Sequence, residues 1–380
     1  MADTQQTQPT GTRRSGLRLG SVGGVPIYVG ATWLLVAGLI TIGFQPFVRD
    51  RLPELGEGGA YLVSGSFALL LYGSVLLHEL SHALTARRLG IGVRGITLHF
   101  LGGVTEMTEE PRTPGREVAV SASGPAVSLV VGIVAWALAA PFDRSVAELL
   151  LVQLAWANVV VGVFNLLPAL PLDGGHLLQA LVWRVTGDRG RGVVTAAWAG
   201  RVLAGLVALV PFLLAVRGEG GPSIVGILYA LLIATFLWSG ASQSLAVAAF
   251  RRRLPHLDAG ALARPAAIVA ADTPLAEAVR RAHGAGAGAL VVADAAGWPR
   301  GLVSEAAVAA TPEERRPWVS AGAVARTLAA DLVLPTTLTG EALVRRLQEA
   351  PASEYLVVAE DGRLVGVLAT ADVEAVLTAT

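Results

Sequence analysis

The chain has 380 residues, of which 53% are hydrophobic and 15% are charged, and its formal net charge is zero. A soluble domain carries about 25% charged residues, so this composition predicts a membrane protein with several spans and a soluble appendage. The balanced charge gives no indication of nucleic acid as a partner. Because the sequence contains no cysteine, disulfides and thiolate metal ligands are excluded, and His, Asp and Glu remain as candidate ligands.

Six segments have the roughly 20 mostly apolar residues that a membrane-spanning helix needs. They lie at about 27–48, 60–86, 116–140, 147–170, 194–216 and 223–249. The polar residues 1–25 are predicted to be a cytosolic tail without a cleaved signal peptide, and residues 26–253 a membrane domain. Within that domain, Ile96, Leu98, Phe100 and Val104 in the glycine-rich segment 92–107 predict a short strand or hairpin.

Arginine alternates between the two sides of the predicted spans, which indicates that both termini are cytoplasmic in a plasma (inner) membrane. The arginine-rich connections contain Arg13, Arg14, Arg18, Arg87, Arg88, Arg94, Arg112, Arg116, Arg184, Arg189, Arg191 and Arg251 to Arg253. Arg201 falls inside the fifth predicted span, so this span could begin later in the chain than residue 194. The exclusive use of arginine for positive charge, with abundant Ala, Gly and Val, is typical of a GC-rich bacterial genome.

The segment LLHELSHALTARR, residues 76–88, contains the pattern HExxH at His78, Glu79 and His82. Positions i and i+4 share a helix face, so both imidazoles can reach one Zn²⁺, and the glutamate can act as a general base. The alternatives are a chance match, a buried polar cluster that fixes helix packing, or a non-catalytic metal site. Because a charge at the centre of a span costs about 2.5–3.5 kcal/mol on insertion scales, three such groups together favour zinc.

A catalytic zinc usually takes a third protein ligand. Asp173 in FNLLPALPLDGGH follows two prolines and precedes two glycines, a context that can aim its carboxylate back into the helix bundle. His176 and His99 remain alternative ligands, and Asp173 could instead cap a turn. Small residues in the third span predict close helix packing: Ser121, Ser123, Gly124, Ala126 and Ser128.

HELSH on the second span and FNLLPALPLDGG after the fourth, separated by a glycine-rich hairpin and SASGPAVS, resemble the site-2 protease family of intramembrane zinc metalloproteases. The resemblance covers about residues 20–250. It implies that His78, His82 and Asp173 bind one Zn²⁺ per chain and that Glu79 is the catalytic base. Asn165 matches the asparagine of the family pattern N-x-x-P-x-x-P-x-D-G, which implies that it stabilises the oxyanion.

The resemblance also implies an active site that opens to the cytosol. Its substrate would be the transmembrane segment of a membrane protein already trimmed by another protease, such as an anti-sigma-factor-type regulator, within membrane lipid. An extended substrate could add to an exposed edge of the strand at 96–106, although a hairpin that only plugs the bundle explains the sequence equally well.

After a predicted linker at 254–264, a strand–helix–strand–strand–helix pattern occurs twice, at 265–310 and 324–380. The two copies resemble a pair of cystathionine-β-synthase-type (CBS) domains, which implies a regulatory or homodimerising module. In the second copy, Thr370 and Asp372 match positions that contact the phosphate and ribose of an adenine nucleotide. In the first copy Ala307 replaces that aspartate, so the resemblance gives less support for nucleotide binding there.

The predicted fold is therefore an α-helical polytopic membrane protein, with about six transmembrane helices and a small β-hairpin, followed by a soluble α/β CBS pair. The predicted function is regulated intramembrane proteolysis. A metal transporter or channel gated by the CBS pair is the alternative, but folds built from inverted repeats should show similar halves, and no second His/Glu set occurs in spans four to six. An inactive scaffold is disfavoured because the full set of expected catalytic side chains is present.

Overall fold

The computed structural model describes residues 16–99, 102–216 and 223–378. These residues form two compact units that divide between residues 246 and 247. Arg13 and Arg14, which contribute to the predicted orientation, and Phe100, which belongs to the predicted strand, lie outside the described residues.

The first unit is mostly helical. Its helices are α1 (Thr32–Arg51), α2 (Gly56–Arg88), α3 (Pro114–Ala139), α4 (Val146–Asn165), α5 (Asp173–Thr186), α6 (Arg189–Val216) and α7 (Ile224–Arg253). Six of the described helices, all of these except α5, are long and apolar enough to cross a membrane, which confirms the predicted number. Arg201 lies inside a continuous α6, so this helix begins at Arg189, before the predicted span.

Polar residues begin α3 and α4, and glycines bring the two helices close together. The side chains of Thr113 and Ser145 accept hydrogen bonds from the first-turn amides of Arg116 and Glu148, which satisfies donors that a helix leaves free. A Cβ atom on Gly132 would lie 2.9 Å from a methyl carbon of Val159. The small residues of α3 therefore permit close contact with α4.

A four-stranded sheet accompanies the helices, with the strand order β1-β2-β3-β4. Its strands are β1 (Leu17–Val22), β2 (Val25–Val29), β3 (Val93–His99) and β4 (Gly102–Met107). The antiparallel pair β3–β4 confirms the predicted hairpin, and β2 joins it in parallel through β3. Strand β4 is an edge of this sheet and lies against α2.

The N-terminal hairpin β1–β2 differs from the sequence-based expectation, which placed residues 1–25 in a tail and began the first span near 27. The span helix begins only at Thr32. In β2, Val25 and Ile27 are buried and alternate with more exposed residues, as expected of a strand with one covered face. The apolar residues of β2 lie next to those of α1 in the sequence, so apolar character alone does not show where the strand ends and the helix begins.

The second unit contains two copies of the predicted strand–helix–strand–strand–helix repeat. The first copy is β5 (Ala266–Ala270), α9 (Leu275–Gly284), β6 (Ala289–Ala293), β7 (Pro299–Val303) and α10 (Glu305–Ala310), preceded by α8 (Ala259–Leu262). It is followed by α11 (Ala321–Val324) and β8 (Arg326–Thr327). The second copy is β9 (Val333–Pro335), α12 (Gly340–Glu349), β10 (Glu354–Val358), β11 (Leu364–Ala369) and α13 (Thr370–Thr378).

The two repeats pack on each other through a shared apolar cluster. Val291 and Leu302 from the first copy meet Leu356 and Val367 from the second, and all four are at most 2% exposed. The sheets have the strand orders β5-β6-β7-β8 and β11-β10-β9. This architecture confirms the predicted soluble α/β pair after the membrane helices.

Candidate metal centre

Helix α2 places His78 and His82 one turn apart on a buried face. Each residue is 6% exposed, and the two ring centroids are 4.9 Å apart. Their Nε2 atoms lie 3.2 Å from each other. This is the arrangement that the spacing of HExxH predicts, since residues four apart on a helix are neighbours.

Asp173 brings a carboxylate to the same point. It is the first residue of α5, and its Oδ2 and Oδ1 atoms lie 3.2 Å from His78 Nε2 and 3.4 Å from His82 Nε2. The two glycines that follow permit the close approach of α5 to the preceding loop. A Cβ on Gly174 or Gly175 would lie 2.3 Å from backbone atoms of residues 166–170.

The other ring nitrogens are held by helix α3. Nδ1 of His78 lies 2.9 Å from the Ser128 hydroxyl, and Nδ1 of His82 lies 2.7 Å from the carbonyl oxygen of Val120. When Nδ1–H donates to these acceptors, the lone pair of each imidazole is on Nε2 and faces Asp173. Gly124 leaves room for this, because a Cβ there would lie 2.2 Å from His82 Nε2 and 2.6 Å from His78 Nε2.

Glu79 points toward strand β4 beside the histidine pair. Its Oε2 accepts a 2.7 Å hydrogen bond from the Thr105 hydroxyl, which also lies 3.1 Å from the Glu79 carbonyl oxygen. A Cβ on Gly103 would lie 2.2 Å from Glu79 Cγ, so glycine is needed where β4 passes this side chain. The hairpin therefore fixes the position of the carboxylate.

These groups line a cavity of about 890 Å³ within the first unit. Its walls are residues of α2 to α7 and of β4, and they include both histidines, Glu79 and Asp173. Asn165, the last residue of α4, is half-buried and also lines the cavity. All five predicted catalytic and metal-ligating residues thus lie around one space.

The two alternative histidine ligands have other surroundings. His176 lies in the cavity wall with Nδ1 3.2 Å from Oε1 of Glu117, a carboxylate that is 4% exposed. Arg189 approaches the second oxygen of Glu117 at 3.4 Å and also pairs with Glu110. His99 ends β3 opposite Gly102. Among the described residues, the group able to hold a metal consists of His78, His82 and Asp173.

Several contacts within the candidate site were not predicted from the sequence. Ser128 and Gly124 were predicted to serve helix packing, Gly103 was predicted only as part of a strand or hairpin, and Thr105 was not singled out. The small residues of SASGPAVS predict that another helix packs closely here. They do not show that the groups in contact are the imidazoles of His78 and His82. The contact of Thr105 with Glu79 joins residues 26 positions apart and depends on the tertiary fold.

The residues present fit a zinc ion. The group contains two imidazole nitrogens and one carboxylate, the ligand types that Zn²⁺ takes in catalytic sites. The ligand atoms all lie within 4.8 Å of one another, and the Nδ1 contacts orient both rings. Because water can take a fourth position, three protein ligands are sufficient for catalysis.

In the second unit, Thr370 and Asp372 are already engaged with the protein. The Thr370 hydroxyl donates a 2.6 Å hydrogen bond to the Ala352 carbonyl. Arg264 donates two 2.7 Å hydrogen bonds to Asp372 and also contacts Glu305 at 3.2 Å. These hydrogen bonds raise the pKa of the Arg264 guanidinium. Because both side chains already have protein partners, they are not available to bind a nucleotide in this arrangement.

The chain is similar to known proteins over its first unit. Residues 66–146 and 140–209 match the model of peptidase family M50. Protein sll0528 of Synechocystis sp., whose name provisionally assigns it as a zinc metalloprotease, is 34% identical over 233 residues. The match covers 60% of this chain, and the chain spans about 60% of the length of that curated relative.

Two solved structures also resemble parts of the chain. The site-2 protease from Methanocaldococcus jannaschii is 28% identical, with coverage of 60% of this chain and 95% of that chain and a TM-score of 0.44. The CBS domain protein TA0289 from Thermoplasma acidophilum is 21% identical, with coverage of 32% of this chain and 72% of that chain and a TM-score of 0.27.

Proposed function

Because residues 66–146 and 140–209 match the model of peptidase family M50, we propose that this multi-pass membrane protein is an intramembrane zinc metalloendopeptidase. The observation that carries the proposal is the group of His78, His82 and Asp173 beside Glu79, in a cavity lined by helices long enough to span a membrane. The substrate is the transmembrane segment of another membrane protein.

The proposed ligands are His78 and His82 through Nε2 and Asp173 through its carboxylate. When bound, Zn²⁺ supplies Lewis acidity, which polarises a carbonyl and makes water a stronger acid. The Thr105 hydroxyl holds Oε2 of Glu79, which leaves Oε1 to accept the proton of the attacking water. The same carboxyl then delivers that proton to the leaving amine.

Asn165 is proposed to donate a hydrogen bond to the oxygen that becomes negative in the transition state. It lines the same cavity as Glu79 and carries an amide N–H₂ group. An uncharged donor at this position stabilises developing charge without itself requiring a counter-ion in the membrane.

Strand β4 is the proposed binding edge for the substrate. It is an edge strand of the sheet, and Thr105 contacts Glu79. All of its residues except Glu106 border the cavity. A transmembrane helix hides each amide in i to i+4 hydrogen bonds, so it must unwind before cleavage. Pairing with β4 gives the unwound segment replacement hydrogen bonds next to Glu79.

The biological setting is proposed from the sequence pattern. The alternation of arginine supports an orientation with both termini on the cytoplasmic side of a bacterial inner membrane. The substrate is then a single-span protein already trimmed by another protease, of the anti-sigma-factor regulator type. The CBS pair is a regulatory or homodimerising module, and nucleotide binding at Thr370 and Asp372 requires Arg264 to leave Asp372.

Chelation tests the proposed metal dependence. The purified full chain in lipid vesicles should cleave a tagged single-span substrate, lose this activity with 1,10-phenanthroline and regain it with Zn²⁺. His82→Ala should lose both bound zinc and cleavage, whereas the matched control His99→Ala should keep both. Undiminished cleavage by a protein shown to be free of metal would contradict the proposal.

A further inference from the structure

Arg201 places a positive charge inside the fifth apolar helix. Its guanidinium carbon lies 4.9 Å from the ring centroid of Trp198 on α6 and 5.0 Å from that of Trp238 on α7. The two indoles are 54% and 51% exposed, so they form part of the outer surface of the first unit. The arginine is therefore held between two aromatic faces at a surface formed by apolar helices.

The protein provides hydrogen-bond partners for only some of the N–H groups of this guanidinium. Nη2 donates a 3.1 Å hydrogen bond to the Ser242 hydroxyl, and the buried Nε has no partner. Within the described residues, Arg201 has no carboxylate partner. An arginine has five N–H donors in a planar fork, so most of its hydrogen-bonding capacity is left for another group, and its charge is met only by the faces of the two indoles.

The position of the cluster along the helices indicates the headgroup level of a bilayer. At about 1.5 Å per residue, α6 runs about 27 Å from Trp198 to Val216, and α7 runs about 27 Å from Ile224 to Ser242. This length is close to the roughly 30 Å hydrocarbon thickness of a membrane. Tryptophan is enriched at the membrane–water interface, because its ring is apolar and its N–H is polar.

We propose that Arg201, Trp198 and Trp238 form a binding site for the headgroup phosphate of an anionic phospholipid. The phosphate supplies the negative charge and the paired oxygens that a guanidinium fork binds best. The two indoles flank the headgroup and cover the arginine stem. The lipid belongs to the cytosolic leaflet, since the helix ends on this side carry Arg189, Arg191 and Arg251 to Arg253. This leaflet assignment rests on the orientation proposed above, whereas the headgroup site itself is independent of the proposed protease activity.

Native mass spectrometry of the full chain in detergent tests the site. The protein is titrated with phosphatidylglycerol and with phosphatidylcholine of the same acyl chains. Wild type should prefer phosphatidylglycerol by about fivefold, the factor expected for one basic residue near anionic lipid. Arg201→Gln should bind both lipids equally. The matched control Arg191→Gln, on the same helix but paired with Asp188, should keep the wild-type preference.

Further measurements separate lipid binding from helix packing and from binding of soluble phosphate. Ser242→Ala removes the hydrogen bond between the helices but keeps the charge, so it should retain the preference. Arg201→Lys keeps the charge without the planar fork and should bind phosphatidylglycerol more weakly than wild type. Equal lipid preference in wild type, or an unchanged preference in both Arg201 variants, would show the proposal to be wrong. Displacement of the lipid by equimolar glycerol 3-phosphate would instead identify a soluble phosphate site.

Discussion

The residues around the imidazole pair decide which nitrogen atoms face the cavity. Ser128 and the Val120 carbonyl occupy the Nδ1 side of His78 and His82, and Gly124 leaves the Nε2 side open. Each of these groups comes from helix α3, so the metal centre depends on the close packing of α2 and α3. Substitutions in α3 should therefore change metal binding even though α3 supplies no proposed ligand.

Gly124→Ala tests this dependence. The added methyl group would lie 2.2 Å from His82 Nε2, so the imidazoles must move, and zinc affinity should fall by at least about tenfold. Gly115→Ala is a matched control in the same helix, because a Cβ there meets no atom within 4 Å. Zinc content is measured after dialysis against a buffered zinc concentration. Equal zinc retention by the two variants would contradict the assigned role of Gly124.

Thr105 is expected to position Glu79 without binding the metal. Thr105→Val keeps the shape of the side chain but removes the 2.7 Å hydrogen bond to the carboxylate. A hydrogen bond to a charged group is worth about 1.5–3 kcal/mol, so the cleavage rate should fall by about tenfold or more while zinc is retained. Thr105→Ser should restore most of the rate. A valine variant with wild-type kinetics would exclude this positioning role.

The sequence allowed His78, Glu79, His82 and Asp173 to be proposed because their spacing and backbone context are local. HExxH lies on one helix face, and PLDGG marks a turn from which a carboxylate can point inward. The supporting contacts of Ser128, Thr105 and Gly103 join segments far apart in the chain, and such pairings are not visible in a single sequence. The geometry brings the three proposed ligands together.

At the scale of elements, length and apolar character were sufficient to predict the six long helices and the β3–β4 hairpin. The N-terminal hairpin was missed because β1 is short, exposed and next to an apolar run. Strand β2 pairs with β3, which lies more than 60 residues further along the chain. Only the tertiary fold therefore shows that β2 extends the sheet.

Arg264 contacts Glu305 of the first repeat and donates two hydrogen bonds to Asp372 of the second. Arg264→Ala frees the carboxylate, so AMP should bind the variant about fivefold more tightly than wild type, in line with the ~1 kcal/mol of a partly exposed ion pair. Arg300→Ala, which removes a separate pair with Asp294, is the control and should leave AMP affinity unchanged. Titration calorimetry of the full chain gives both values. Absence of AMP binding in Arg264→Ala would remove the support for a nucleotide site at Thr370 and Asp372.

At the scale of the whole molecule, the chain combines membrane-spanning helices with a soluble repeat pair, as its composition predicted. The low charged fraction and the six apolar segments separate the first part from the second. Composition indicates whether a segment lies in lipid or in water, and hydrophobic periodicity indicates whether it forms a helix or a strand. They do not show which side chains meet in the cavity, because its walls come from residues far apart in the chain.

The protein is proposed to hydrolyse peptide bonds in this cavity with Glu79 as the base. Cleavage of a tagged single-span substrate in lipid vesicles, compared between wild type and Glu79→Gln with bound zinc measured in both, tests this proposal most directly. Wild type should cut the substrate, and Glu79→Gln should hold the same amount of zinc and cut at least about a hundredfold more slowly. Equal cleavage by the two proteins, at equal zinc content, would show that Glu79 is not the base.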